Sequence, residues 1–304
     1  MGAAKVNVAV CQLAPVIGDV EGNVRRGVAA VREACGRGAG LVVLPELVTT
    51  GYVFDSQDEL RPLAEPLSGP SVSAFARAAS DSAQEQGRPV VVVGGFAEVD
   101  HEGVLRNSAF VVGADASGAP VARSVYRKAH LWDDENGLFV PGDQPPTVVE
   151  TPLGRVGVVI CYDLEFPEWL RTIALQGIDV LCAPTNWPAV PRPTGERPIE
   201  VTRAQASASV DRVFVAVCDR VGPERGVDWV GGSAIVSPDG YPLALATFDS
   251  DGSAGGEQTL LAECDLSQAR RKGTSPHNGV VADRRPDLYG AVTRPLADPG
   301  PSSS

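Results

Sequence analysis

Apolar and polar positions alternate from Val6 to Leu13, a period-two pattern rich in valine that predicts a β-strand. From Asn23 to Cys35 the spacing changes. Val24, Val28, Val31 and Ala34 recur at helical intervals, and Gly38-Ala39-Gly40 ends the helix they predict. Leu41-Val42-Val43-Leu44 follows as a short strand of the buried type. A second helix is predicted over Ser71–Gln86, where the preceding Ser68-Gly69-Pro70 supplies a helix start. Val90–Phe96 reads as a strand, and Asn107–Val112 with Val121–Tyr126 as a hairpin turning at Asp115-Ala116-Ser117-Gly118.

In the second half, strands are expected at Val156–Ile160, Val180–Ala183, Val213–Cys218, Ser233–Val236, Pro242–Ala246 and Leu260–Asp265, with helices at Pro167–Gln176 and Glu196–Val210. Helices interspersed among more numerous strands predict a layered α/β fold. One stretch, Ala129–Pro146, has little periodicity and is dense in acids, aromatics, proline and glycine. Long segments of that kind inside compact domains tend to carry function.

No linker or repeat divides the chain, so we expect a single domain over residues 1–290 and a Pro/Ser-rich, partly disordered tail over 291–304. At 304 residues it can bury a large core without disulfides or metal. Acidic residues outnumber basic ones 38 to 26, which argues against a nucleic-acid partner. No apolar run approaches the ~20 residues of a membrane span, and the N-terminus lacks the apolar stretch of a secretory signal. The expected location is therefore the cytoplasm, with reduced thiols. None of the six cysteines forms a C-x-x-C pair and there are three histidines, so no metal site is expected. Cys11, Cys182, Cys218 and Cys264 lie in apolar strand-like runs and Cys35 closes a helix, positions that suit buried structural thiols.

Cys161 differs. It ends the run Gly157-Val158-Val159-Ile160 and precedes the polar pair Tyr162-Asp163. Glu46 likewise follows Leu41–Pro45, and Lys128 follows Ser124–Arg127. In α/β proteins the carboxyl ends of strands are where sites assemble. Each of the three taken singly is an ordinary loop residue; together they are chemically complementary. A free thiol of pKa ~8.5 is only a few per cent thiolate at neutral pH. It needs a base to accept its proton or a cation to stabilise the anion, and a carboxylate with an ammonium supplies both.

The segments Leu44-Pro-Glu-Leu47, Tyr126-Arg-Lys-Ala-His-Leu-Trp132 and Val159-Ile-Cys-Tyr-Asp-Leu-Glu-Phe-Pro-Glu168 resemble, in order and spacing, the three signatures of the nitrilase, or carbon–nitrogen hydrolase, superfamily. The resemblance spans about Val6 to Asp265. It implies a four-layer α-β-β-α sandwich and a Glu46–Lys128–Cys161 triad that cleaves a non-peptide C–N bond through a cysteinyl thioester, with no metal or organic cofactor. The Tyr162 backbone N–H would help hold the oxyanion. Glu135, ahead of Phe139-Val-Pro-Gly142, matches the second glutamate of the superfamily's amidases and would position substrate and keep Lys128 charged. By the same analogy the chain would form a homodimer or a larger homo-oligomer through the Pro167–Gln176 region.

Cys161-Tyr-Asp resembles the amidase branches, which implies a small primary amide as substrate. Many acid-amide hydrolases of the superfamily carry an arginine four residues after the nucleophile, and this chain has Glu165. Facing the pocket, that side chain would disfavour a substrate carboxylate; paired with Arg155 or Arg171, it would have no such effect. Asn186 and Trp187 would line the pocket by family analogy, and Tyr52 and Trp132 are candidates to border it. The alternatives are an N-carbamoyl amidohydrolase or a nitrilase with the same triad, a Cys161–His130 hydrolase of the papain kind, and a catalytically silent binding relative.

Overall fold

The computed structural model describes residues 5–193, 195–249 and 252–294. Its strands are β1 (Lys5–Gln12), β2 (Leu41–Val43), β3 (Val90–Val99), β4 (Leu105–Ala114), β5 (Pro120–Arg127), β6 (Val149–Thr151), β7 (Gly154–Val158), β8 (Val180–Pro184), β9 (Phe214–Cys218), β10 (Ala234–Val236), β11 (Pro242–Leu245) and β12 (Gln258–Asp265). The helices are α1 (Val20–Gly36), α2 (Gln57–Leu60), α3 (Pro70–Gln86), α4 (Glu135–Leu138), α5 (Pro167–Ala174), α6 (Ile199–Asp211) and α7 (Ser267–Arg270).

Two six-stranded sheets form, in the orders β12-β1-β2-β3-β4-β5 and β11-β10-β9-β8-β7-β6. The alternation seen in the sequence explains how they stack. Val8 and Val10 of β1, Leu41 and Val43 of β2, and Val91 and Val93 of β3 join a core shared with Val158, Val180 and Val215 of the second sheet. The intervening Ala9, Cys11, Val42, Val90 and Val92 pack instead on Val31 and Ala34 of α1 and on Phe75 and Ala78 of α3. Each buried valine contributes about 1.5–3 kcal/mol relative to exposure, so a one-residue register slip would be prohibitive. On the far side, Leu170 and Ile173 of α5 and Val201, Ala204 and Ala208 of α6 cover the second sheet. The result is the expected α-β-β-α sandwich.

The chain clusters into two compact units, one running to Arg271 and one beginning at Lys272; the second holds a small antiparallel pair, Gly273–Ser275 with Asn278–Gly279. Of the tail expected over 291–304, residues 295–304 lie outside the described residues. Among the described residues no helix is long and apolar enough to cross a membrane.

Three local departures have physical reasons. The helix expected from Glu196 starts at Ile199, because Pro198 disfavours helical backbone in the residue before it. The unpatterned stretch Ala129–Pro146 contains α4, whose four residues are too few to show a period. The strand β6 has only three residues, recruited by antiparallel pairing with β7.

Candidate active site

Glu46 and Lys128 leave the ends of β2 and β5 in one sheet, and Cys161 leaves the end of β7 in the other, so the site forms where the two sheets face each other. Glu46 and Lys128 are fully shielded from solvent, and Glu135 at the start of α4 is 2% exposed. Lys128 Nζ donates to Glu46 Oε1 at 2.8 Å and to both Glu135 oxygens at 2.8 Å. Glu135 Oε2 also accepts the Trp132 backbone N–H at 2.7 Å. One ammonium thus sits between two buried carboxylates.

The backbone that presents these groups is bent. Among the described non-glycine residues, five have positive φ, and three of them are Cys161 itself (48°), Leu47 (45°) next to Glu46, and Asp133 (44°) just before α4. Such conformations cost of order 1–3 kcal/mol each and persist where surrounding contacts enforce them. Gly95 is one such enforcer: a Cβ there would lie 2.3 Å from Leu47 N and 2.5 Å from Glu46 Cα, so only glycine lets β3 pass this close to the Glu46 turn.

Cys161 opens a short 3₁₀ turn, Cys161–Glu165, and its thiol donates to the Asn186 carbonyl at 3.7 Å. No hydrogen bond joins the sulfur to Glu46 or Lys128 among the described residues; it is linked to them through charge. Burial pushes the Cys161 thiol well above its ordinary range, the Glu46 carboxylate adds to the rise, and the Lys128 ammonium opposes it. Burial also lifts Glu46, to about 7, against the pull of Lys128 and with the push of Glu135. For Lys128 burial works against the charge, yet Glu135 and Glu46 outweigh it and raise the pKa. With two acids to one base in a dry site, a proton held on Glu46 brings the trio to neutrality.

Asp163 locks the turn that carries Cys161. Its Oδ2 accepts the Tyr126 hydroxyl at 2.6 Å and the Ile160 N–H at 3.0 Å, and its Oδ1 meets His130 Nδ1 at 2.7 Å and accepts the His130 N–H at 3.1 Å. The His130 ring stacks on Phe166 at 3.7 Å between centroids. His130 is therefore engaged by Asp163, and the structure provides no Cys161–His130 pair.

A cavity of about 90 Å³ opens beside the sulfur, lined by Cys161, Tyr162, Trp132, Glu165, Asn186 and Trp187 among others. Asn186 Nδ2 donates to the Glu46 carbonyl at 3.0 Å, while its buried Oδ1 has no hydrogen-bond partner among the described residues. Trp187 N–H is held by Asp219 Oδ1 at 3.0 Å. Tyr52 is not part of that lining, yet it lies close enough to Glu135, Glu46 and Cys161 to feel their charges. Its ring meets Trp229 edge-on at 5.5 Å, and burial first, then the Glu135 and Glu46 charges, raise its pKa well above the usual phenol value. Glu165 pairs with neither of its expected partners. Arg155 takes Glu150 and Arg171 takes Asp211, while Glu165 Oε1 meets Arg203 Nη1 at 3.1 Å.

Sequence reasoning missed Asn107 and Asp163. Asn107 Nδ2 lies 2.7 Å from Glu46 Oε1 and 2.9 Å from Glu135 Oε1. The one available signal was an amide standing in the strand run Arg106–Phe110. Asp163 is part of the third signature, but nothing local announces its four bonds.

The profile of the carbon-nitrogen hydrolase family matches residues 7–272. The chain is 36% identical to a protein named nitrilase from Pyrococcus abyssi, over 93% of this chain and 99% of that one. It is 34% identical to an (R)-stereoselective amidase of Pseudomonas sp., over 93% of this chain and 92% of the other. Among solved structures, an amidase from Nesterenkonia sp. superposes with a TM-score of 0.71 at 25% identity, covering 93% of this chain and 95% of that one.

Proposed function

This chain belongs to the carbon–nitrogen hydrolase family and is an enzyme of carbon–nitrogen bond hydrolysis; we propose that it converts a small primary amide to the carboxylic acid and ammonia, with Cys161 as nucleophile, Glu46 as proton carrier, and Lys128 with Glu135 as the electrostatic frame. The observation that carries this reading is the Lys128 ammonium clamped at 2.8 Å by two buried carboxylates beside a thiol held at positive φ.

In the proposed sequence, Glu46 takes the Cys161 proton as sulfur adds to the amide carbon. The carbonyl electron pair moves to oxygen, and the Lys128 ammonium and the Tyr162 N–H stabilise that oxyanion. The C–N bond breaks as Glu46 delivers its proton to nitrogen, releasing ammonia and leaving a thioester on Cys161. Water then gives one proton to Glu46 and adds to the thioester carbon. Collapse expels sulfur, which regains the proton, and the acid departs. A group that both takes and gives a proton works best with a pKa near the working pH, and a Glu46 raised to about 7 suits that task.

Intact-protein mass spectrometry of enzyme mixed with a primary amide and quenched in acid tests the reading. An added acyl mass on wild type and none on Cys161→Ala supports it; ammonia release by Cys161→Ala at the wild-type rate overturns it. The name of the Pyrococcus relative raises nitriles as a second substrate class for the same thiol. Parallel assays of amides, nitriles and N-carbamoyl compounds, with carbon dioxide measured alongside ammonia, separate these.

A further inference from the structure

Asn107 lies on β4, 1% exposed, and touches most of the machinery at once. Its backbone carbonyl accepts the Lys128 N–H at 2.9 Å, and its two amide protons reach Glu46 Oε1 at 2.7 Å and Glu135 Oε1 at 2.9 Å. Its own Oδ1 is buried with no partner among the described residues. Turning the amide over would place a carbonyl oxygen against two carboxylates, so the NH₂ face must point inward. A buried orphan oxygen costs about 1–3 kcal/mol. Leucine would avoid that cost, so the amide's value lies in what its protons hold.

What they hold is an asymmetry. Glu46 Oε1 accepts from both Asn107 and Lys128, while Glu46 Oε2 is buried without any hydrogen-bond partner among the described residues. Two charge-assisted bonds make Oε1 the weaker base of the two oxygens. We propose that Asn107 is a positioning residue that assigns the mobile proton to Glu46 Oε2, by sharing Oε1 with Lys128 so that the other oxygen alone exchanges a proton with Cys161 and the leaving nitrogen. This deepens the proposed function and rests on Glu46 being its proton carrier. Donation from Asn107 also favours the charged carboxylate, so its loss makes Glu46 harder to ionise. The other charged and titratable groups facing Glu46 are Lys128, Glu135, Cys161, Tyr52 and Arg220, and all of them stay in place in the test.

The test compares wild type with Asn107→Leu, similar in shape but without donors, measuring kcat/KM for propionamide from pH 5 to 9. The low-pH limb is expected to move up by about one to two pH units, the size of one lost hydrogen bond to a charged group. At high pH the rate should recover to within about tenfold of wild type. The rate of Cys161 alkylation by iodoacetamide against pH should show the same displacement without turnover. Asn107→Ala, whose short side chain admits water, repeats both measurements should the leucine prevent folding. A limb that stays at the wild-type position, whether the rate is kept or lost, overturns the inference and leaves Asn107 a structural residue. If wild type itself neither hydrolyses an amide nor acylates Cys161, the proposed function falls first and takes this inference with it.

Discussion

Lys128 Nζ lies 2.8 Å from both carboxylate oxygens of Glu135, two bonds against its single one, also 2.8 Å, to Glu46. Glu135 therefore does two things: it keeps the lysine charged, and it repels the charge on Glu46. Glu135→Gln should lower kcat/KM by about 10²–10³-fold, the scale of losing one preorganised electrostatic group. It should also move the low-pH limb down, because a charge that raises the Glu46 pKa is gone. That displacement is opposite to the one expected for Asn107→Leu, and pH-rate profiles of the two variants check it.

The wild-type profile follows from Glu46 alone. In its proposed role as proton acceptor it works ionised, and burial holds its pKa at about 7, so kcat/KM should fall tenfold per unit below about pH 7. Stability runs the other way. The folded protein retains on Glu46 a proton that the unfolded chain releases near pH 4.3. The folded state therefore binds more protons between about 4.3 and 7, and its stability declines as pH rises through that window. Glu46→Gln should lose at least 10³-fold in rate, match wild-type Tm near pH 4, and exceed it by a few degrees above pH 8, read by thermal melts at both pH values.

The strands and the three motif residues were legible because each polar side chain stands at or just past the end of a patterned strand, as Cys161 follows Gly157–Ile160. The helix carrying Glu135 was not, since α4 is shorter than the periods that reveal helices. Nor was the Glu165–Arg203 pair, whose members lie 38 positions apart and meet only after α6 packs against the sheet carrying Cys161. Asn107 was hidden for another reason: alternation tells which face a strand residue takes, not what waits there.

Asp163 holds four groups at the turn that carries Cys161, and His130 supplies two of them, its backbone N–H and its ring Nδ1. The imidazole braces Asp163 and stacks on Phe166, so it serves shape more than chemistry. His130→Ala should keep kcat/KM within about tenfold of wild type, whereas Lys128→Ala should abolish acylation. Asp163→Ala strands the Tyr126 hydroxyl and two backbone N–H groups, at about 1–3 kcal/mol each where water cannot reach. It should lower Tm by many degrees, measured by calorimetry, before any assay is run.

Glu165 lines the cavity beside Cys161 and pairs with Arg203 at 3.1 Å, their side chains 38% and 27% exposed. The pair presents little net charge, so neutral amides meet no penalty at the cavity mouth. Glu165→Gln would leave the Arg203 guanidinium uncompensated. Amides bearing a carboxylate should then gain in kcat/KM relative to neutral ones of equal size, by about three- to tenfold at low ionic strength. Because both side chains are partly solvated, the gain should shrink in 0.5 M salt, where the Debye length falls to about 4 Å. Arg203→Gln is the mirror case: it leaves Glu165 unpaired and should disfavour the same acids. Competition between succinamate and butyramide, run on wild type and both variants at two salt concentrations, reads the whole pattern. A preference that shifts identically in both variants would mean that the pair shapes the cavity rather than its charge.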